Sequence, residues 1–369
     1  MYLEDIRLIN FRNYLDIKMS FNDQINCLVG DNGVGKTNVL EGIYYLALTK
    51  SFQSTSDLQT IKHETDFFSI IGNFNKDGKQ KGVKCQMKRG EKKTISMNDI
   101  SYNKISDHIG IFPVVLITPN DTDIIRGGGE NRRRFVDSVI SQLDRKYLDN
   151  LLKYNHALRQ RNSILKNTHH QDHMDIDLID PYDQLIMQIG YQIYLTRRKF
   201  IATLSKLLKE IYSDIADHKE EVKIQYKSDL DSENFNVLFK ESLSRDIALR
   251  RTSLGIHRDD YVFDLDGYPM KKYSSQGQQK SMIVSLKIAQ FEIIRNEKGF
   301  KPIILMDDIF DKLDDARIEK ILNMVAGHTF GQIFVTDARP ERTLSIFDRI
   351  ESNKSIYQIA DGKADLIYS

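Results

Sequence analysis

Apolar and polar positions along this chain follow two different periods, and their order predicts an α/β fold. Two β-like runs, 5–11 and 16–21, flank a short polar break and predict a hairpin. The continuous apolar run 25–29 then predicts a buried strand, and residues 38–48 repeat their apolar side chains on one helical face. Alternating runs between 69 and 117, broken by glycine and asparagine turns, predict a small antiparallel β-layer.

The pattern changes in the middle of the chain. Helical spacing dominates from residue 131 to about 216, which predicts an inserted helical domain, and a strand at 222–226 and a helix at 238–249 follow it. Strand signals at 261–265 predict that the chain has returned to the first domain. A parallel sheet is predicted from the helices 283–294 and 318–325 and the buried strands 303–306 and 333–336.

Composition limits which cellular compartment and which binding partners fit this chain. The 53 Lys and Arg residues against 52 Asp and Glu give a formal charge of +1, so nucleic-acid binding requires a local basic surface. Two cysteines, Cys27 and Cys85, are too few for a disulfide framework and favour a cytoplasmic protein. No apolar stretch approaches the roughly 20 residues that span a bilayer, so we expect no membrane anchor. We interpret His169, His170 and His173 as part of a solvated loop, since no companion metal ligands accompany them.

A glycine-rich loop lies between the first buried strand and its helix. It fits the phosphate-binding pattern G-x-x-x-x-G-K-[ST], in which glycines turn backbone N–H groups toward phosphates. Lys36 is expected to neutralise the β- and γ-phosphates of ATP, and the Thr37 hydroxyl to ligate Mg²⁺. The candidate nucleotide contacts here are Gly30, Asp31, Asn32, Gly33, Val34, Gly35, Lys36, Thr37 and Asn38.

Two acidic residues end the buried strand at 303–306. Magnesium needs an anionic anchor at the end of a neighbouring strand, and Asp307 is the predicted metal ligand beside Thr37. Asp308 is the predicted catalytic residue, together with Lys36, because it is placed to orient or deprotonate the attacking water. The alternative is that the pair caps a helix.

A serine-glycine segment precedes the helix at 283–294 and resembles the signature loop of ABC ATPases. Ser275 and Gly277 would offer a hydroxyl and backbone N–H groups to a γ-phosphate at a helix N-terminus. Because ABC heads place this loop across a dimer interface, ATP would lie between Lys36 of one subunit and Ser275 of its partner. The alternative is a polar capping turn without a ligand. The candidate contacts are Ser275, Gln276, Gly277 and Gln278.

Six segments, in agreeing order and spacing, resemble the RecF family of bacterial recombination mediator proteins. The H-R-D-D element at 257–260 together with S-Q-G-Q-Q is the most characteristic of them. They are L-I-N-F-R-N-Y at 8–14, G-D-N-G-V-G-K-T-N-V-L-E at 30–41, G-G-G-E-N-R-R-R-F-V-D at 127–137, G-I-H-R-D-D at 255–260, S-Q-G-Q-Q-K at 275–280 and D-D-I-F-D-K-L-D at 307–314.

The resemblance implies an ABC-type P-loop ATPase head with a parallel core sheet, an antiparallel β-layer and an inserted α-helical domain. The implied domains are a first head segment at 1–125, the helical insertion at 126–250 and a second head segment at 251–369. The implied function is ATP-dependent DNA binding in recombinational repair and replication-fork maintenance. An ATP-induced homodimer would clamp DNA and, with RecO and RecR, help to load RecA and support the SOS response.

The chain also departs from the family pattern. Asp311-Lys312 stand where Ser-Glu is usual in the D-loop, and prolines are replaced by Gly129 and Ile256. Neither a switch histidine near residues 335–337 nor the glutamate of ABC transporters is present, which argues against a transporter and predicts slow, DNA-stimulated hydrolysis. A small-molecule kinase would not need a signature loop. A generic ABC-type ATPase with a partner other than DNA remains the alternative function.

Four arginines flank a triple-glycine turn and are predicted to contact phosphates of DNA or of ATP, namely Arg126 and the consecutive Arg132, Arg133 and Arg134. A solvated basic helix start is the alternative. Weaker candidates lie on the helical segment, namely Arg159, Arg161, Lys166, Arg197, Arg198 and Lys199. No aromatic platform is visible in the sequence, which favours sequence-independent contacts with the DNA backbone.

Overall fold

The computed structural model describes two compact units of the chain. One comprises Met1–Asp121 with Leu286–Ser369, and the other Thr122–Ser285. The elements below are numbered over the described residues, which are 1–167, 176–216, 220–308, 330–341 and 352–368. The predicted helix 318–325, the D-loop residues Asp311-Lys312 and the loop with His169, His170 and His173 lie outside them.

The first unit contains an antiparallel sheet that confirms the predicted hairpin and β-layer. Its strands run in the order β2-β1-β4-β5-β6-β7. Their bounds are β1 (Tyr2–Phe11), β2 (Tyr14–Ser20), β4 (Phe67–Lys76), β5 (Lys79–Lys88), β6 (Thr94–Met97) and β7 (Ile100–Ser101).

A second sheet in the same unit is parallel except for one edge strand, as the buried apolar runs predict. Its strands are β3 (Ile25–Val29), β8 (Val114–Ile117), β12 (Ile303–Met306), β13 (Ile333–Asp337), β14 (Lys354–Ala360) and β15 (Lys363–Tyr368). They lie in the order β15-β14-β3-β13-β12-β8. The carboxyl ends of β3, β13 and β12 are therefore neighbours.

Helix α1 (Lys36–Leu48) follows β3 directly and joins one core with strands of both sheets. The helix approaches β1 closely at Gly42, where a Cβ atom would lie 2.6 Å from Cδ2 of Leu8. Phe11, Tyr45 and Phe68 pack edge to face in this core. The nucleotide loop thus begins a helix whose other side is fixed by apolar packing.

The second unit is mainly helical. It contains α2 (Asp123–Arg126), α3 (Gly129–Leu143), α4 (Arg145–Asn167), α5 (Asp180–Ile215), α6 (Phe235–Glu241), α7 (Leu243–Leu249) and α8 (Met270–Tyr273). The chain passes into the first unit within α9 (Gln276–Lys298). The helix predicted at 238–249 is in fact two short helices.

A small antiparallel sheet also belongs to the second unit. Its strands are β9 (Val222–Lys227), β10 (Asp260–Leu265) and β11 (Tyr268–Pro269), in the order β11-β10-β9. The prediction that strand 261–265 returns to the first domain is wrong, because β10 pairs along its whole length with β9. The domain limits at 126–250 and 251–369 stay predictions; the compact second unit extends to Ser285.

Candidate nucleotide site

The glycine loop turns sharply between β3 and α1. Gly30, Gly33 and Gly35 have φ angles of 146°, 87° and 116°, which disfavour any other residue. A Cβ at Gly30 would lie 2.4 Å from the carbonyl oxygen of Ile359, so the loop has no room for one. The N-cap of α1 is Gly35, which has no side chain to bond the first N–H groups of the helix. Those donors are suited to an anion.

Lys36 is buried with its amino group inside this loop. Its Nζ donates to the carbonyl oxygens of Gly30 at 2.6 Å and Asp31 at 2.9 Å. Burial lowers the pKa of Lys36, whereas the nearby carboxylates, Asp308 first among them, oppose that shift. A phosphate would supply a stronger counter-charge at the same place.

Thr37 and Asp307 meet at the ends of α1 and β12. The Thr37 hydroxyl donates to Oδ1 of Asp307 at 2.7 Å, and Thr336 of β13 donates to the same oxygen at 2.8 Å. Burial raises the pKa of Asp307, while the hydrogen bonds from Thr37 and Thr336 and the charge of Lys36 oppose that shift. A hydroxyl and a carboxylate in contact match the oxygen ligands that Mg²⁺ prefers.

Asp308 lies just beyond β12 in a left-handed conformation, with φ 48°. Its backbone N–H donates to the Thr336 hydroxyl at 2.9 Å. Asp337, at the end of β13, is buried and its charge also acts on Lys36. The structure therefore brings Lys36, Thr37, Asp307 and Asp308 to one edge of the parallel sheet.

The segment from Ser275 to Gln278 in the second unit, called here the serine loop, caps its own helix α9 in this structure. The Ser275 hydroxyl accepts from the N–H of Gln278 at 3.2 Å, and the Gln278 side chain accepts from the Ser275 N–H at 2.7 Å. Gln278 also donates to Glu220. Ser275 and Gln276 remain exposed to solvent. The geometry thus shows the capping turn, and a ligand for Ser275, Gln276, Gly277 and Gln278 stays a prediction.

The chain matches a family model described as the RecF/RecN/SMC N terminal domain over residues 2–363. It is 43% identical over 365 residues to the DNA replication and repair protein RecF of Cytophaga hutchinsonii, covering 99% of this chain and 97% of that protein. The RecF of Flavobacterium johnsoniae is 42% identical, with 97% of this chain and 99% of that protein covered. The chain belongs to the RecF family.

Solved structures agree with this assignment. The recombination mediator protein RecF of the RecFOR pathway, solved with ATP, superposes with a TM-score of 0.89 at 29% identity, covering all of this chain and 98% of that one. An Smc head domain from Pyrococcus furiosus superposes with a TM-score of 0.57 at 15% identity, covering 99% and 96%, and shows the shared fold. The predicted P-loop ATPase head of the RecF family is therefore confirmed as the fold class.

The three arginines predicted to contact DNA occupy different environments in this RecF-family chain. Arg132 is buried, and its donors are used by Asp260, at 2.7 and 3.0 Å, and by two carbonyl oxygens of α2 and the following turn. Arg133 donates to the carbonyl of Asp259, and burial lowers its pKa. Arg134 is exposed and pairs with Glu130. DNA contact stays a prediction for all three, and only Arg134 is placed to make it without rearrangement.

The H-R-D-D element is anchored inside the second unit. Asp259 accepts from the buried Arg197 at 2.7 Å and from Tyr226 at 2.5 Å. His257 lies between the Tyr154 hydroxyl and the carbonyl of Thr252, and burial lowers its pKa to about 4. The buried Asp259 and the half-buried His257 therefore anchor the loop before β10 by polar contacts.

Two of the weaker DNA candidates are wrong. Arg161 and Arg197 are 0% and 1% exposed, so neither can reach DNA. Arg161 donates to Asp183 at 2.5 Å and to Asp246 at 2.6 Å. Each arginine is the centre of a buried ionic cluster. An arginine on an amphipathic helix can face the core when buried carboxylates balance its charge.

Several residues that shape the nucleotide site were missed in the sequence. Asn13 in the β1–β2 turn donates to the carbonyl of Val34 at 2.9 Å, and Tyr14 at the start of β2 donates to the carbonyl of Gly35 at 3.0 Å. Thr336 bridges Asp307 and Asp308. The only available signal was that N-F-R-N-Y is one of the family segments, which gives no role to its individual residues.

Proposed function

We propose that this chain is an ATP-dependent DNA-binding protein of recombinational repair and replication-fork maintenance, with weak Mg²⁺-dependent ATPase activity. The observation that carries the proposal is the meeting of Lys36, Thr37, Asp307 and Asp308 at one sheet edge of a RecF-family chain. The solved RecF with ATP supports a nucleotide at this place. The family name of its relatives supports a role in DNA replication and repair.

ATP would bind with its phosphates in the glycine loop. The first-turn N–H groups of α1 and the amino group of Lys36, which donates to the carbonyl oxygens of Gly30 and Asp31 inside the loop, would hold the β- and γ-phosphates. Thr37 and Asp307 would hold Mg²⁺, which when bound would neutralise charge on the phosphates. These residues fit the ion because their oxygens already lie 2.7 Å apart.

Hydrolysis would need a group that orients water beside the γ-phosphate. Asp308 fits that role because its backbone is fixed by Thr336 while its side chain is only partly buried. The shorter aspartate reaches less far than the glutamate of transporters. We therefore propose slow turnover, with hydrolysis resetting DNA binding.

Two copies of the chain would complete each nucleotide site. In this proposal Ser275 to Gln278 of one copy cap the triphosphate held by Lys36 of the other, so that bound ATP holds the two copies together as a homodimer. The exposure of Ser275 and Gln276 supports the proposal, since a capping loop must be accessible to a second copy. The dimer would act as a clamp on DNA, with RecO and RecR as partners in loading RecA and supporting the SOS response.

The compartment is proposed to be the cytoplasm. Cys27 and Cys85 are both buried free thiols, which suits a reducing compartment. Among the described residues, no helix has the length and apolar character required to cross a bilayer.

The experiment is sedimentation velocity with ATP and Mg²⁺, followed by DNA binding measured by fluorescence anisotropy. We expect a nucleotide-dependent dimer that binds DNA, and a monomer for Lys36→Ala and for Ser275→Arg. A protein that binds ATP and dimerises but ignores DNA would favour the alternative, a generic ABC-type ATPase with another partner. A monomer that is indifferent to ATP would contradict the proposal.

A further inference from the structure

The segment that runs from strand β11 of the β10–β11 hairpin to the serine loop carries two lysines between two tyrosines. Its sequence from Tyr268 reads Y-P-M-K-K-Y, and the segment forms β11 and the single turn α8. Tyr268 and Tyr273 are 64% and 68% exposed, among the most exposed large apolar or aromatic side chains of the described chain. Lys271 and Lys272 are exposed as well.

The two tyrosine rings are ordered against each other. Their centroids lie 5.7 Å apart at an interplanar angle of 65°, an edge-to-face pair. About two thirds of each side chain is still exposed to solvent in this pair, at 64% and 68%. Rigid exposed aromatic rings are the groups on which unpaired nucleobases stack.

Arg126 adds a third positive charge to the surface that carries Lys271 and Lys272. Lys271 donates to the carbonyl of Gly127 at 3.1 Å, which places α8 beside the triple-glycine turn and the exposed Arg126. Among the residues that the structure describes, Lys272 makes no hydrogen bond or ion pair. Asp266, the carboxylate of the hairpin turn, is already occupied by the N–H of Glu221.

We propose that Arg126, Tyr268, Lys271, Lys272 and Tyr273, called here the basic-aromatic surface, bind single-stranded DNA. The inference rests on the proposed DNA-binding function and adds the place and the strand preference. The cations would contact backbone phosphates, and the tyrosines would stack with unpaired bases. Charge complementarity favours nucleic acid as the occupant, because Arg126, Lys271 and Lys272 are exposed on one surface and every nucleotide carries a phosphate.

The surface is also joined to the serine loop. The Ser274 hydroxyl donates to the carbonyl of Met270 at 2.5 Å, and the Gln279 side chain donates to the carbonyl of Ser274 at 3.2 Å. Gln279 in turn accepts from Arg126. DNA on α8 would therefore stabilise the conformation of the loop that the proposed dimer offers to ATP.

The test compares two double variants with matched controls by fluorescence anisotropy, using a labelled thymine oligonucleotide and a mixed-sequence duplex with ATP and Mg²⁺. We expect Lys271→Glu/Lys272→Glu to weaken binding roughly tenfold or more at low salt and to reduce the single-strand salt slope by about 1.4, at about 0.7 per phosphate contact. Lys79→Glu/Lys92→Glu, two exposed lysines of the first unit, should change neither quantity.

The tyrosine pair is tested on both nucleic acids. We expect Tyr268→Ala/Tyr273→Ala to weaken binding of the single strand about thirtyfold or more and to leave duplex binding nearly unchanged, because duplex bases are already stacked. The control is Tyr191→Ala, a 53% exposed tyrosine on α5 of the same unit. Equal losses on single strand and duplex would overturn the stacking role.

Failure of the inference and failure of the proposed function are separable. If the unmodified protein binds no DNA, both are overturned. If it binds DNA and the lysine variant binds like its control, only the basic-aromatic surface is overturned. If the variants instead lose the ATP-dependent dimer in sedimentation while each copy still binds DNA, the surface meets a second copy and the inference is also overturned. Circular dichroism and the milder Lys271→Gln/Lys272→Gln variant check that folding is unchanged.

Discussion

Replacing Arg197 by methionine should destabilise the second unit severely. The side chain of Arg197 is 2% exposed, and its Nη1 donates to Asp259 at 2.7 Å and to the carbonyl of Ile256 at 2.8 Å. Its Nη2 donates to both oxygens of Asp137 at 2.8 and 3.0 Å. Methionine fills similar space but leaves the fully buried Asp259 carboxylate without its cation.

Removing one partner of a buried ion pair typically costs about 3–5 kcal/mol. For a unit of this size that corresponds to a fall in Tm of about 6–20 °C. Burial already raises the pKa of Asp259, and loss of Arg197 raises it further. A carboxyl with a raised native pKa destabilises the fold when ionised and ceases to do so when protonated. The difference between Arg197→Met and the unmodified protein should therefore shrink as pH falls through that pKa.

The assay is urea unfolding followed by circular dichroism at 222 nm, since the chain has no tryptophan to report by fluorescence. The double variant Arg197→Met/Asp259→Asn should recover much of the lost free energy of unfolding because the buried charge is gone. A loss below about 1 kcal/mol for Arg197→Met, or no recovery in the double variant, would refute the reasoning.

Three further predictions concern the nucleotide site and the anchored loop. Asp307→Asn should lower ATP hydrolysis about a hundredfold or more without altering circular dichroism, because an amide cannot balance the charge of Mg²⁺; unchanged turnover would contradict the assignment. Tyr14→Phe removes the hydroxyl that donates to the carbonyl of Gly35 and should weaken ATP binding about fivefold, measured by calorimetry. An affinity for ATP equal to that of the unmodified protein would contradict this role of Tyr14. His257 has a pKa of about 4, below its ordinary value of 6.5, so its contribution to stability is complete above pH 6.5 and is lost as pH falls toward 4. His257→Gln should therefore flatten the pH dependence of urea unfolding in that window, and an unchanged slope would exclude this role.

The glycine loop and the acidic strand end could be predicted because each depends on residues adjacent in sequence. Strand, glycines and helix follow one another from Ile25 to Leu48, and burial of a four-residue apolar run places Asp307 at a strand end. The capping turn of Ser275 is likewise local, since Ser and Gln stand three residues apart. Such features need no knowledge of the tertiary fold.

The contacts that hold the site together join distant segments and could not be predicted. Asn13 reaches Val34, and Thr336 reaches Asp307, only because the sheets bring these segments together. The antiparallel pair of β9 and β10 likewise joins strands that are separated in sequence by α6 and α7. Apolar periodicity identifies a strand but not its neighbour, which is why the pairing of β10 with β9 in the second unit could not be predicted.

The arginine run illustrates a related limit. Successive residues of a helix point about 100° apart, so Arg132, Arg133 and Arg134 cannot share one surface. Their sequence reads as a basic patch, yet Arg132 faces Asp260 in the interior and Arg134 faces solvent. The basic-aromatic surface shows the opposite limit, since the sequence names Arg126 as a phosphate contact but does not reveal that Lys271 and Lys272, far away along the chain, lie beside it.

The most direct test of the central claim mixes two inactive variants, Lys36→Ala and Ser275→Arg, and measures ATP hydrolysis. If two copies share each nucleotide, the mixed dimer contains one intact site, formed by Lys36 of one variant and Ser275 of the other. Neither variant is expected to dimerise alone, so the dimers of an equal mixture are mixed and should restore about half of the unmodified activity, one working site of two in each dimer. Activity that stays at the level of the separate variants, although mixed dimers form, would contradict the shared site.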